Sequence, residues 1–180
     1  MTHFIKNNEL PHYTYKDYVQ WEGDWELIDG VAFSMAPSPF GKHQKILKNI
    51  IFILELQIKQ NHLNYYVYPE LDWIVNEDTI IRPDISITNE EIEEFIRKPP
   101  VMIIEIISKN TKQKDETIKY RLYEEQKVDY YMLVYPEKKE VKLYKHKGNQ
   151  FEPFPIEKDF IVLEFQENIE LKLPTKEIFV

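Results

Sequence analysis

Val101-Met-Ile-Ile-Glu-Ile-Ile107 is the stretch whose reading decides the fold. It is apolar at both parities of an extended chain, so it reads as a central strand buried on both faces. Glu105 interrupts it. An isolated ionised carboxylate in such a strand is very costly, so Glu105 must be paired, protonated or bound to a metal. A buried salt bridge with a Lys or Arg is the plain structural alternative.

Working outward, a helix is predicted over about Lys114 to Gln126, its buried stripe set by Ile118 and Leu122. Tyr130 to Tyr135 and Glu140 to His146 read as a hairpin around Pro136-Glu-Lys-Lys139. Phe160 to Phe165 and Ile169 to Leu173 add short strands. Upstream, two strands are predicted, Tyr65 to Val75 and Thr79 to Thr88. The strongest helix runs from about His43 to Gln60, where Ile46, Leu47, Ile50, Ile51, Leu54 and Ile58 keep helical spacing. It follows the turn-rich Pro37-Ser-Pro-Phe-Gly41. Asp29-Gly30 between two apolar runs is a hairpin signal. Thr14-x-x-Asp17 resembles a helix N-terminal box. Hairpins followed by one strand-helix-strand crossover predict a mixed sheet flanked by helices.

Asp84 lies in Ile80-Ile-Arg-Pro-Asp-Ile-Ser-Ile87. Alternation puts Arg82, Asp84 and Ser86 on one face. Pairing this strand with Glu70-Leu-Asp-Trp-Ile-Val75 through a loop at Asn76-Glu77-Asp78 sets Asp72 opposite Arg82 and Glu70 opposite Asp84. The other face is then wholly apolar. A one-residue slip would mix the faces, so this register is favoured. Two carboxylates side by side repel unless a cation joins them, and a divalent ion would serve. The bland alternative is a solvated face with an Asp72–Arg82 pair. Lys119, at the margin of the helix stripe, either reaches these carboxylates or forms a surface pair with Asp115 at i,i+4. The tyrosines at 65, 66, 68, 130, 131 and 135 could stack on bases, but at strand spacing they read as core.

Composition narrows the classes. The 180 residues suffice for one domain with a full core. With no cysteine, disulfides, thiol nucleophiles and cysteine-bound zinc are excluded. Only 4 glycines are present, and neither phosphate-binding glycine motif occurs. No apolar stretch has the look of a signal peptide or a membrane span, so a cytoplasmic protein without membrane contact is expected. A net charge of −8 disfavours general attraction to nucleic acid, although a metal cluster needs carboxylates and the ion inverts their charge locally.

Pro83-Asp84 on one strand, Glu105 on a later apolar strand and Lys119 nearby resemble the PD-(D/E)XK, or restriction-endonuclease-like, superfamily. More closely, the chain resembles the Uma-two family of restriction endonucleases. The matching stretches are Trp25-Glu-Leu-Ile-Asp-Gly30, His43 opening a helix, Arg82-Pro-Asp-Ile-Ser86 and Ile104-Glu-Ile-Ile-Ser108. They continue through Asp115-x-x-x-Lys119-x-x-x-Tyr123, Val128-Asp-Tyr-Tyr131 and the ending Leu171-Lys-Leu-Pro-Thr-Lys-Glu-Ile-Phe179.

This resemblance implies one restriction-endonuclease-like α/β domain over residues 1–180, a mixed β-sheet flanked by helices with additional hairpins. It implies a metal-dependent endonuclease hydrolysing phosphodiester bonds, in DNA rather than RNA. Asp84 and Glu105 would hold Mg²⁺ or Mn²⁺, with Glu70 or the Ile106 carbonyl as a further oxygen ligand, and Lys119 would complete the catalytic set. Glu26 and His43 would line the site. A homodimer is allowed. One departure stands out: the superfamily lysine follows the strand glutamate by two residues, where this chain has Ile107. The resemblance implies that the lysine has moved to the helix. Ile107 and the charge of −8 keep an alternative open, a non-catalytic domain of the same fold that binds nucleic acid or protein.

Overall fold

The long hairpin expected between Tyr65 and Thr88 forms, and it bends in the middle. In the computed structural model, which describes residues 11–35, 41–157, 159–166 and 169–180, β3 (Tyr66–Pro69) pairs with β6 (Ile85–Thr88) on one side of the bend. On the other side β4 (Trp73–Asn76) pairs with β5 (Thr79–Ile81). One register runs through both halves, from Tyr66↔Thr88 and Pro69↔Ile85 to Trp73↔Ile81. It sets Glu70 beside Asp84, whose carbonyl accepts the Glu70 N–H at 3.1 Å. It also sets Asp72 beside Arg82, whose Nε donates to Asp72 Oδ1 at 2.7 Å. The expected three-residue loop is corrected: Glu77 and Asp78 form a two-residue turn, and an irregularity between Ile74 and Asn76 restores the register. The bend has a backbone cause. Pro83 has no N–H to give to a ladder, and Glu70 takes a left-handed φ of 48°.

The hairpin therefore feeds two sheets. Its outer half joins β1 (Trp25–Ile28) and β2 (Val31–Ser34) in a four-stranded sheet of order β2-β1-β5-β4. Asp29 and Gly30 close the β1–β2 hairpin, both at positive φ, as a primed turn requires. A Cβ on Gly30 would lie 2.1 Å from the His12 ring.

The inner half joins β7 (Met102–Ile106), β8 (Tyr130–Tyr135), β9 (Glu140–Lys147) and β10 (Gln150–Pro153) in a six-stranded sheet of order β10-β9-β8-β7-β6-β3. β7 and β8 run parallel and the other neighbours antiparallel, so the sheet is mixed. All five residues of β7 are buried, as the uninterrupted apolar pattern predicts.

Helices cover both faces. α2 (Gly41–Gln60) lays Ile46, Leu47, Ile50, Ile53, Leu54 and Ile58 against Ile85, Ile87, Met102, Ile104 and Ile106. Each fully buried aliphatic side chain contributes about 1.5–3 kcal/mol. Ile53 takes the place in the stripe expected for Ile51, which is only partly buried. The stretch 36–40 lies outside the described residues, so of the turn-rich segment before this helix only Gly41 is placed. On the other face, a π-helical turn (Lys114–Lys119) runs into α3 (Tyr120–Glu125). The stripe expected there is corrected. Ile118 is 39% exposed, and Asp115, Lys119 and Tyr123 turn inward instead.

A hairpin of β11 (Phe160–Gln166) and β12 (Ile169–Pro174), with α4 (Thr175–Ile178), packs against α2. The Thr14–Asp17 box caps α1 (Tyr15–Tyr18). Tyr65, Tyr130, Tyr131 and Tyr135 are buried, as their strand spacing implied. Among the described residues no helix is long and apolar enough to cross a membrane.

Candidate active site

Because β7 and β8 are parallel, their C-terminal ends lie together, beside the start of antiparallel β6 and the end of β3. The start of α2 comes to the same end, since His43 Nε2 lies 3.1 Å from Asp84 Oδ2. Extending the β6–β7 register one pair beyond Ile85↔Ile104 sets Asp84 opposite Glu105. Residues opposite one another in a ladder share a face. The Ile106 N–H donates to Asp84 Oδ2 at 2.6 Å, and the Asp84 N–H donates to Glu105 Oε2 at 3.4 Å. The two carboxylates therefore flank one another on one side of the sheet.

Lys119 reaches them from the π turn. Its Nζ is 2.9 Å from Glu105 Oε1, 2.7 Å from Glu26 Oε1 and 3.8 Å from Asp115 Oδ1. The i,i+4 pair with Asp115 exists, but it is not the surface pair of the bland reading, since both residues are buried. A π turn widens the helix locally and is frequent at functional sites; here it carries Asp115 and Lys119 into the space under β7. Ile107, at the usual place of the lysine, is buried among apolar residues of that face.

Glu26 is more central than its sequence context suggested. It is 0% exposed. Its Oε1 accepts the Arg82 N–H at 3.1 Å, and its Oε2 pairs with Lys114. Tyr123 donates its hydroxyl hydrogen to Glu105 Oε1 at 2.7 Å, and the Tyr131 hydroxyl donates to the Asp115 carbonyl at 3.0 Å. Glu70 is joined to Asp84 through its backbone, and its side chain is exposed.

Four carboxyl groups, Glu26, Asp84, Glu105 and Asp115, thus face two ammonium groups and one imidazole. Burial pushes Glu105 up to about 8; Lys119 opposes this, while Asp115, Asp84 and Glu26 add to it. Burial likewise raises Asp115 to about 6 against the pull of Lys119. For Glu26, burial is outweighed by Lys119 and Lys114, which hold it below the ordinary carboxylate value. Burial alone would lower Lys119, but Glu105, Glu26 and Asp115 keep it well above the usual lysine range. His43 is raised because the hydrogen bond and charge of Asp84, with Glu70 and Asp115 behind it, overcome burial. Two buried polar atoms here, Asp115 Oδ1 and His43 Nδ1, have no hydrogen-bond partner among the described residues. Among the described residues, no three histidine or acidic groups already stand at metal-binding spacing around one point.

The sequence reading missed Asp115, Lys114 and Tyr123 as members of this cluster. The signal was present. Asp115, Lys119 and Tyr123 recur every four residues, so they share one helix face. Glu26 sits in the apolar Trp25-Glu-Leu-Ile28 as Glu105 sits in its own strand.

The family model described as "Uma2: Putative restriction endonuclease" matches residues 15–175. No curated protein matches the chain. Among solved structures the chain is similar to the "putative nuclease belonging to DUF820" from Anabaena variabilis ATCC 29413. The TM-score is 0.72 at 20% identity, over 92% of this chain and 97% of that one. At that identity the likeness shows a shared fold.

Proposed function

Since the chain belongs to the Uma2 family, we propose that it is a metal-dependent endonuclease that hydrolyses phosphodiester bonds in DNA through Asp84, Glu105 and Lys119. The observation that carries this reading is the convergence of three elements. A strand bend supplies Asp84, a buried strand supplies Glu105, and a π turn brings the Lys119 ammonium to 2.9 Å from Glu105.

The donor chemistry fits a hard divalent cation. Asp84 and Glu105 present carboxylate oxygens on neighbouring strands, and Asp115 Oδ1 is a buried acceptor with no donor among the described residues. Oxygen donors of this kind suit Mg²⁺ or Mn²⁺. Asp84 and Glu105 would hold the ion, with the Ile106 carbonyl or the exposed Glu70 as a further oxygen donor. When bound, it supplies Lewis-acid polarisation of the phosphate and a more acidic water.

The chain's own residues do the rest. Glu26 and Glu105 fix the Lys119 ammonium, so that it can orient the attacking water and offset charge growing on the phosphate oxygens. Tyr123 holds Glu105 in place. His43, hydrogen-bonded to Asp84, fixes that carboxylate's orientation. As the water oxygen bonds to phosphorus it gives up a proton to solvent, the bond from phosphorus to the leaving ester oxygen breaks, and that oxygen takes a proton from solvent, so the step balances as addition of one water.

The test is cleavage of DNA and RNA substrates with Mg²⁺ or Mn²⁺, and with chelator. Metal-dependent cutting of DNA, lost in Glu105→Gln, is the expected result. Ile107 favours a second reading, a domain of the same fold that binds without cutting. Manganese-independent thermal stability together with no cleavage of any substrate would select it.

A further inference from the structure

Two ammonium groups share one carboxylate in this site. Lys119 takes Glu26 Oε1 at 2.7 Å and Lys114 takes Oε2. The two lysines are placed differently. The Lys119 side chain is 3% exposed and is enclosed by Glu26, Glu105 and Asp115. An ammonium has three hydrogens to donate, and here each faces a carboxylate. Lys119 can act on a water seated among those carboxylates, but a phosphate arriving from solvent meets little of it.

The Lys114 side chain is 16% exposed. Among the described residues its ammonium hydrogen-bonds to Glu26 Oε2 alone, which leaves two of its hydrogens free. Its Nζ also lies 5.7 Å from the centre of the Phe33 ring, so the group is steadied between a buried carboxylate and an aromatic ring. The backbone on either side is fixed as well. The Thr111 N–H donates to Ser108 Oγ at 3.1 Å, and the Asp115 N–H donates to the Thr111 carbonyl at 2.9 Å. The charged groups of the cluster that keep contact with solvent are thus Lys114, Asp84 and His43, while Glu26, Glu105, Asp115 and Lys119 are sealed.

We propose that Lys114 is a further catalytic residue, whose free hydrogens hold a non-bridging oxygen of the scissile phosphate while Lys119 acts from beneath. The choice of a phosphate rests on the nuclease reading. The choice of Lys114 over Lys119 rests on exposure and on the count of free donors. The division of labour gives an entering anion a cation to meet before it reaches the carboxylates. Lys114 makes that contact without releasing Glu26, so binding strands no buried charge.

The test compares Lys114→Gln, Lys114→Arg and Lys112→Gln with the parent protein, each shown to be folded by its thermal midpoint. Gln at this position keeps a donor for Glu26 and loses the charge, while Arg keeps the charge. Lys112 is exposed on the same link and serves as the control. With Mg²⁺, Lys114→Gln should raise KM about tenfold, the scale of one charge-assisted hydrogen bond, and change kcat less. Lys114→Arg should restore most of the loss, and Lys112→Gln should match the parent. A second measurement does not depend on cutting: acylation of lysines, read by mass spectrometry, with Mg²⁺ and rising dimethyl phosphate. The phosphodiester should protect Lys114 and leave Lys109 and Lys112 as reactive as before. A Lys114→Gln protein with a lowered thermal midpoint and the parent's KM would overturn the proposal, since Lys114 would then only neutralise Glu26. So would a KM raised equally by Gln and Arg. Protection of Lys114 in a protein that cuts no substrate keeps the phosphate contact and sinks the nuclease reading. Cutting with Lys114 unprotected and KM unmoved in Lys114→Gln does the reverse.

Discussion

Two charged clusters flank the hairpin bend, and they are built to different rules. In the first, Arg82 donates from Nε to Asp72 at 2.7 Å and from Nη1 to Asp24 at 2.6 Å, while the Tyr18 hydroxyl donates to the second Asp72 oxygen at 2.9 Å. Each Asp72 oxygen has a donor, and although Asp72 is itself buried, the group opens to solvent at Asp24. It closes on itself and staples α1 and the β1 edge to the bend. In the second, four carboxyl groups meet two ammonium groups and one imidazole, largely out of solvent, and a buried Asp115 oxygen has no donor among the described residues. Buried acceptors are normally satisfied. A cluster that exceeds its own supply of cations is shaped for something the chain does not provide, which separates a candidate site from a structural staple built of the same residue types.

The largest expected effect would break or keep that distinction. Lys119→Met should lower cleavage by about 10³-fold or more, on the scale of losing a preorganised charge at a reacting centre. It should also cost about 3–5 kcal/mol of stability, since it leaves Glu26 and Glu105 buried without their shared partner. Arg82→Met should cost about 2–3 kcal/mol, less than the loss of a fully buried pair because Asp72, although buried, keeps the Tyr18 hydroxyl. The folded Arg82 variant should cut within a few-fold of the parent. Rates on fully folded protein, with urea denaturation for stability, decide the matter. An Arg82→Met protein that is folded and inert would erase the difference between the clusters.

Much of the arrangement was legible in the sequence because it rests on period-two alternation and on misplaced charge. The Glu70–Asp84 and Asp72–Arg82 pairs followed from keeping apolar residues on one face, and Glu105 from a charge inside an apolar strand. The turn at Glu77 and Asp78 was misread because the bulge that restores the register leaves no pattern of its own. Asp115 and Tyr123 were missed because helix periodicity was assigned to Ile118 and Leu122. Apolar residues usually face the core, and here a buried polar site reverses the rule. The split of each long strand between two sheets was hidden too: Pro83 marks a defect in pairing, not the direction of the bend.

A smaller effect is in pH dependence, and it sharpens the contrast. Glu105 at about 8 and Asp115 at about 6 both lie above their unfolded values, near 4. The folded state therefore holds these protons more tightly. Their contribution is complete below about pH 4 and is lost as pH rises toward 8. Glu26 runs the other way: its lowered value gives stability above the unfolded carboxylate range that is lost as pH falls. In EDTA the thermal midpoint should peak near pH 5 and fall by roughly 10 °C or more toward pH 8. Glu105→Gln should flatten the alkaline side and leave the acid side as it was. An alkaline limb of equal steepness in both proteins would mean that Glu105 is ionised throughout and fully satisfied by Lys119.

The smallest expected effect belongs to Tyr123, which tests how tightly the second cluster is held. Its hydroxyl donates to the same Glu105 oxygen as Lys119, at 2.7 Å. A donor to a carboxylate favours the charged form, so Tyr123→Phe should raise Glu105 further and carry the alkaline loss of stability to higher pH. Removing one buried hydrogen bond costs about 1 kcal/mol, while the ring, stacked on Trp73, still fills its space. Cleavage near neutral pH should fall about tenfold, because less of the protein has an ionised Glu105, and it should recover part of that loss as pH is raised. A structural role alone predicts a different result: lower stability with an unmoved pH profile. Should the rate fall by the same factor at every pH, Tyr123 would be packing in the wall of the site, and Glu105 would owe its orientation to Lys119 alone.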